Sequence, residues 1–286
     1  MSDYRIFTDS GCDIDQKTLA EWGVVRVDLT FMDNEKEYPI DYFTPKAFYD
    51  EMRSGHVFKT SAPAPEKYEL AFREALDAGL DVLYVGFSTG LSAAENVGRM
   101  VAEDLKAEYP DRHFYVIDTL CASAGQGLVL YYAVQNRKNG FTLQGNGDSI
   151  SALFPKMCHW FTVSDLIYLK RGGRISAAAY FAATALNIKP VLHVDDAGHL
   201  IGVKKVRGRQ RSIQEMAKKY AETALDPQNG IYFISHGDCL EDVHYLEDLI
   251  EKDFGHRAAY IADVGPVIGS HSGPGTLALF FLGSER

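Results

Sequence analysis

Val82-Leu83-Tyr84-Val85-Gly86-Phe87-Ser88-Thr89-Gly90-Leu91-Ser92 is an apolar run that ends in a hydroxyl-rich turn. Val82 to Val85 is continuously apolar rather than alternating, as expected of a strand buried on both faces of a parallel sheet. The pattern occurs twice more. Tyr4-Arg5-Ile6-Phe7 leads into Thr8-Asp9-Ser10-Gly11, and Phe114-Tyr115-Val116-Ile117 leads into Thr119 through Ser123-Ala124-Gly125. Each turn precedes a helical pattern. In a parallel α/β sheet such turns gather beyond the carboxyl ends of the strands, where ligands bind. Hydroxyls and helix N-termini collected there suit a small anion.

The remaining N-terminal elements follow from local punctuation. Asp15–Trp22 reads as a helix stopped by Gly23, and Val24–Phe31 is β-rich. Thr44-Pro45 pairs an N-cap residue with proline at the first helical position, opening a helix that runs to about Ser54. Lys59-Thr60-Ser61 reads as a turn leading into a helix, and Ser61-Ala62-Pro63-Ala64-Pro65 as a stiff connector into the helix Glu66–Ala78. Further helices are expected at Ser92–Glu108 and Gly127–Asn136. Lys138–Asp148 reads as a polar surface connection to a last helix at Ile150–Met157. Alternating strands and helices predict a parallel sheet covered on both faces.

The second half has a different rhythm. Strands are expected at Trp160–Val163, Ile231–Ile234, Ala259–Val264 and Thr276–Leu282. Ile188–Val194 and His199–Val206 flank Asp195-Asp196-Ala197-Gly198, a hairpin signature. Short helices are expected at Ser164–Leu169 and Ala177–Leu186, and longer ones at Ser212–Thr223 and Leu240–Phe254. The predicted organisation is α/β with two domains: a parallel-sheet domain over 1–157 and a mixed-sheet domain over 158–286.

Composition bounds the function. The 286 residues are 46% hydrophobic and carry a formal charge of −10, which disfavours general nucleic-acid binding. No apolar run reaches the ~18 residues of a membrane span. Met1-Ser2-Asp3-Tyr4-Arg5 shows no signal-peptide pattern. The four cysteines, Cys12, Cys121, Cys158 and Cys239, lack metal or disulfide spacing, so reduced cytosolic thiols and a cytoplasmic location are expected.

Several residues could carry chemistry. Ser92-Ala93-Ala94-Glu95 matches a capping box, while Ser88, Thr89 and Ser92 together form a hydroxyl cluster. Ser123-Ala124-Gly125-Gln126-Gly127 is shaped like a phosphate cradle but matches neither nucleotide fingerprint. Lys170-Arg171-Gly172-Gly173-Arg174 sets three cations around a double glycine, which allows close backbone approach. Lys204 to Arg211 holds five cations in eight residues. His271-Ser272-Gly273-Pro274-Gly275 presents a histidine on a rigid turn, and His236-Gly237-Asp238 sits at another strand end. Metal-ligand spacing and hydrolase or kinase motifs are absent.

Together these motifs resemble the DegV family along the whole chain. The resemblance is carried by Thr8-Asp9-Ser10, Lys59-Thr60-Ser61 with Pro63, Ser88 with Leu91-Ser92, Asp118 with Ser123, Gly125 and Gly127, and Leu169-Lys170 with Gly172-Gly173-Arg174-Ile175. Ile188-Lys189-Pro190, Lys205 with Arg207-Gly208-Arg209, and His271 with Gly273-Pro274-Gly275 complete it.

The resemblance implies a bacterial lipid-binding protein rather than an enzyme, with a long-chain fatty acid held between two domains. A separate ATP-binding kinase subunit would phosphorylate the acyl carboxylate to an acyl phosphate. It places the carboxylate near Thr60 or Ser61, Ser92 and His271, Arg174 in a supporting network, and Arg207 and Arg209 towards the kinase. It implies no cofactor or metal besides the bound fatty acid, and no nucleic-acid partner; transient membrane contact is compatible with it. Ala93, Ala94 and Ala64 depart from the family pattern. The competing reading is an acyl hydrolase or transferase using Ser92 or Cys121 with His271.

Overall fold

The computed structural model describes residues 3–34, 36–176 and 187–286. The first part of the chain runs β1 (Tyr4–Asp9), α1 (Gln16–Trp22), β2 (Val24–Val27), β3 (Thr30–Asp33), β4 (Lys36–Tyr38), α2 (Pro45–Arg53) and β5 (Phe58–Ser61). It continues through α3 (Pro65–Asp77), β6 (Asp81–Gly86), α4 (Ala94–Glu108), β7 (Phe114–Asp118), α5 (Ala124–Lys138) and α6 (Leu143–Leu153). Strands β1, β2, β6 and β7 form a parallel sheet in the order β2-β1-β6-β7. All six residues of β6 are buried, as its unbroken apolar run predicts.

Local chemistry sets the helix ends. Asp15 accepts from the Thr18 amide at the start of α1, and Gly23, at φ 67°, closes it in the left-handed region. Thr44 caps α2 through the Ala47 amide, with Pro45 in the first turn.

Of three expectations for this half, one is borne out and two are corrected. The β-rich stretch Val24–Phe31 holds two strands in different sheets: the chain leaves the parallel sheet after Val27, and β3 joins a small antiparallel sheet in the order β4-β3-β5. Lys59-Thr60-Ser61 lies within β5, with Thr60 opposite Phe31, rather than in a turn leading into a helix. Lys138–Asp148 is not a surface connection throughout: Thr142 caps α6 by accepting from the Gly145 amide. A Cβ on Gly147 would lie 2.4 Å from the Tyr115 ring, so this glycine brings α6 close to the sheet.

The second part runs β8 (Met157–Thr162), α7 (Ile167–Arg171), β9 (Ile188–Val194), β10 (Leu200–Arg207), α8 (Arg209–Thr223) and β11 (Tyr232–His236). It ends with α9 (Leu240–Phe254), β12 (Tyr260–Asp263), α10 (Pro266–Ser272) and β13 (Leu277–Leu282). Its six-stranded mixed sheet has the order β10-β9-β8-β13-β11-β12. The predicted hairpin is the antiparallel β9–β10 pair, and β11 and β12 run parallel around α9. The expected helix Ala177–Leu186 lies outside the described residues. His271 is corrected from a turn to the last turn of α10, which Pro266 opens.

Helix α5 lies between the two large sheets. It is buried nearly all round from Ala124 to Val134, the signature of a helix packed on every side. Gly125 lets it approach His159 and Phe280 of the mixed sheet, and Gly127 lets it approach Ile14. One apolar cluster therefore runs from β1 and β6 through α5 to Phe161, Phe233 and Phe280.

Candidate functional site

A largely apolar cavity of about 80 Å³ lies beside this junction. Its floor is the face of the mixed sheet that carries His159, Phe161, Val194, Ala278 and Phe280. Leu29, Phe87 and Leu91 close it from the N-terminal part, and Leu169, Val267 and Ile268 from α7 and α10.

Four of the expected site residues, Thr60, Ser92, Arg174 and His271, line this one cavity. Thr60 reaches it because side chains alternate along β5. Phe58 is buried and Thr60 half-buried on one face, whereas Lys59 and Ser61 are exposed on the other. Ser61 does not line the cavity.

Thr60 Oγ1 and His271 Nε2 lie 2.7 Å apart. The other ring nitrogen, Nδ1, is buried without a hydrogen-bond partner and faces Gly172, where a Cβ would lie 2.1 Å from it. The double glycine thus admits the imidazole. Burial, aided by the nearby Arg174 cation, pushes the His271 pKa down to about 4, so the ring is neutral at pH 7. A neutral ring donating from Nε2 to Thr60 Oγ1 leaves the threonine hydroxyl free to donate to an anion.

Arg174 donates from Nε and Nη2 to the Leu91 carbonyl and from Nη1 to Gly172 O. It ties the loop carrying Ser92 to the glycines beneath His271. The half-buried guanidinium supplies positive potential at the mouth, and a cation there favours a carboxylate.

The Ser92 capping box does not form. Ser92 Oγ accepts from the Ala94 amide at 3.2 Å, while Glu95 is buried and pairs with Arg99. The neighbouring hydroxyls are occupied: Ser88 donates to Gly198 O, 3.0 Å away on the hairpin tip, and Thr89 donates to Asp118. Thr8 donates to Val85 O, and Asp9 gathers the Gly11 and Phe87 amides with Tyr84. These turns organise the sheet edge. The Ser123 turn is a close-packing device rather than a phosphate cradle, because Gly125 and Gly127 face side chains.

The basic stretch divides. Arg207 is exposed on the edge strand β10, but Arg209 turns inward, donating to Asp242 and, at 2.7 Å, to the Gly275 carbonyl. Cys121 is buried, and burial pushes its thiol up to about 12; it does not line the cavity. Among the described residues no group of three or more His, Cys, Asp or Glu side chains is placed to hold a metal ion, and no helix is long and apolar enough to cross a membrane.

Sequence reading missed the cavity floor, Val267, Ile268 and Ser272 of α10, and Ser235 of β11. Strands β8 and β11 are buried throughout, so no alternation marks which of their residues face the cavity.

Fold and site define an α/β protein of two large sheets and one small one that encloses an apolar cavity beneath a polar mouth flanked by a cation. A family model described as "Uncharacterised protein, DegV family" matches residues 3–284, and the chain belongs to this family. A DegV domain-containing protein of Clostridium perfringens is 37% identical over 290 residues, covering 100% of this chain and 99% of the relative. A solved DegV family protein from Thermus thermophilus, described by its fatty acid binding, superposes with a TM-score of 0.87 at 28% identity, covering 98% and 99% of the two chains. A stearic acid-binding protein from Eubacterium ventriosum gives a TM-score of 0.87 at 25% identity, with 98% of each chain covered.

Proposed function

We propose that the chain binds a long-chain fatty acid, with the carboxylate at Thr60, Ser92 and His271 and the tail in the apolar cavity. The single observation that carries this reading is the Thr60–His271 pair set at the mouth of that cavity beside Arg174. Each buried methylene contributes about 0.8 kcal/mol, and each hydrogen bond to the charged carboxylate about 1.5–3 kcal/mol. The tail supplies affinity and the mouth fixes the headgroup. Residues 1–157 and 158–286 act as two units, each lining one side of the cavity. Binding by the solved relatives supports the ligand class.

The bound acid is presented, in the cytoplasm, to a separate ATP-binding kinase subunit. A carboxylate oxygen attacks the γ-phosphorus of ATP, the bond to the β-phosphate oxygen breaks, and acyl phosphate and ADP form. This chain orients the carboxylate and supplies the Arg174 field; the exposed Arg207 on the β10 edge supports docking there. Arg209 positions the 273–276 loop instead.

Hydrolase chemistry is disfavoured, since Cys121 is inaccessible as a nucleophile and His271 is engaged with Thr60. Mass spectrometry of gently purified protein should find a stoichiometric fatty acid. Delipidated protein should rebind one in a calorimeter, and adding the kinase subunit with ATP should yield acyl phosphate. Empty protein that binds no acid refutes the lipid reading; binding without acyl phosphate formation refutes the kinase role.

A further inference from the structure

The cavity contains a second polar site that the carboxylate does not need. Ser123, at the start of α5, and Ser235, on β11, both line it and lie Oγ to Oγ at 2.8 Å. Ser123 also donates to Asp13, whose other carboxyl oxygen accepts from the Gly265 amide at 2.9 Å. Asp13 itself faces a separate outer cleft. A hydroxyl chain therefore runs from that cleft through Ser123 to end at Ser235, inside the apolar cavity. Ser272, 5% exposed, lines the same cavity, and its buried Oγ has no hydrogen-bond partner.

Plain methylenes laid against these groups leave hydrogen-bonding capacity unused, which is unfavourable for buried hydroxyls. The proton order in the chain defines what would satisfy them. With Asp13 ionised, Ser123 donates to it, Ser235 donates to Ser123, and Ser235 keeps lone pairs facing the cavity. With Asp13 protonated the chain can reverse, and Ser235 donates into the cavity. Burial pushes the Asp13 pKa up to about 7, so both orders are accessible near neutrality. A ligand hydroxyl, which donates and accepts, matches either; a keto or epoxide oxygen matches only the second.

We propose that Ser235, backed by Ser123 and Asp13 and joined by Ser272, forms a subsite for a hydroxyl group on the acyl chain, so that hydroxy fatty acids are ligands of this cavity. This inference rests on the fatty-acid reading above and adds the substrate class.

The test is competition between stearate and a positional series of monohydroxystearic acids on delipidated full-length protein. At least one position should bind about 5-fold tighter than stearate, what one net hydrogen bond is worth, while other positions bind more weakly. Ser235→Ala should lower that hydroxystearate-to-stearate affinity ratio to one or below, and Ser272→Ala should lower it independently. Stearate binding with every hydroxy acid weaker, or a preference that survives both substitutions, overturns the subsite alone. Failure of stearate and all hydroxy acids to bind overturns the fatty-acid reading with it.

Discussion

Replacing Gly172 with alanine perturbs the carboxylate site through one methyl group. Gly172 sits at φ −73° and ψ −8°, where alanine fits without backbone strain. Its Cβ, however, would lie 2.1 Å from His271 Nδ1, 3.0 Å from Cγ and 3.2 Å from Cε1. Atoms so close to the ring's root cannot be cleared by a small rotation. The imidazole must shift, and its 2.7 Å contact with Thr60 breaks. Overpacking costs about 1–3 kcal/mol, and replacing glycine returns about 0.4–1 kcal/mol through the unfolded chain. Stability should therefore fall by about 2.6 kcal/mol or less. Losing one hydrogen bond to a carboxylate, about 1.5–3 kcal/mol, lowers fatty-acid affinity roughly 10- to 150-fold.

Gly173→Ala is the matched control. Gly173 has φ 73° and open space where a methyl group would stand, so alanine there strains the backbone by about 1–2 kcal/mol without touching His271. Calorimetric titration of delipidated protein, with urea denaturation of each variant, separates the two effects. Wild-type affinity in Gly172→Ala, or an equal loss in Gly173→Ala, would refute the reasoning.

Other outcomes follow from the same geometry. The His271 pKa, about 4 in the folded protein against an ordinary value of 6.5, means that the unfolded chain takes up this proton first as pH falls. Its contribution is present above pH 6.5 and is lost towards pH 4. His271→Gln should thus flatten the urea-midpoint profile across that window by up to about 1.4 kcal/mol per pH unit; parallel profiles would contradict a neutral buried ring. Arg209→Ala should destabilise by about 1–3 kcal/mol, because Gly275 O and Asp242 lose their partner, whereas Arg207→Ala should stay within about 0.5 kcal/mol in thermal melts and weaken kinase binding. Cys121, with its thiol pushed up to about 12, should resist iodoacetamide in the native protein and react on unfolding; rapid native alkylation would reopen covalent chemistry.

The large elements were legible because each has a local cause. Val82–Val85 reads as a buried parallel strand, Thr44-Pro45 as a helix start, and Asp195–Gly198 as a hairpin turn. The β3–β5 sheet was hidden, since strands of three and four residues carry too little periodicity, and Pro63 and Pro65 invite a connector reading. Helix α6 was masked by Gly145 and Gly147, the second of which lies against Tyr115. At the site, the resemblance to the DegV family brought Thr60, Ser92, Arg174 and His271 forward together. It could not separate Thr60 from Ser61, which depends on the strand register, nor Arg207 from Arg209, which depends on Asp242, 33 residues away in the chain. Ser235 and Ser272 were invisible because nothing local distinguishes a cavity-facing serine from any other buried one.

The most direct test of the central claim is the crystal structure of the delipidated protein reloaded with stearate. The carboxylate should lie within hydrogen-bond distance of Thr60 Oγ1, beside His271 and Ser92, with the tail running over Phe161, Ala278 and Phe280. A carboxylate bound elsewhere, or a tail lying outside this cavity, would contradict it.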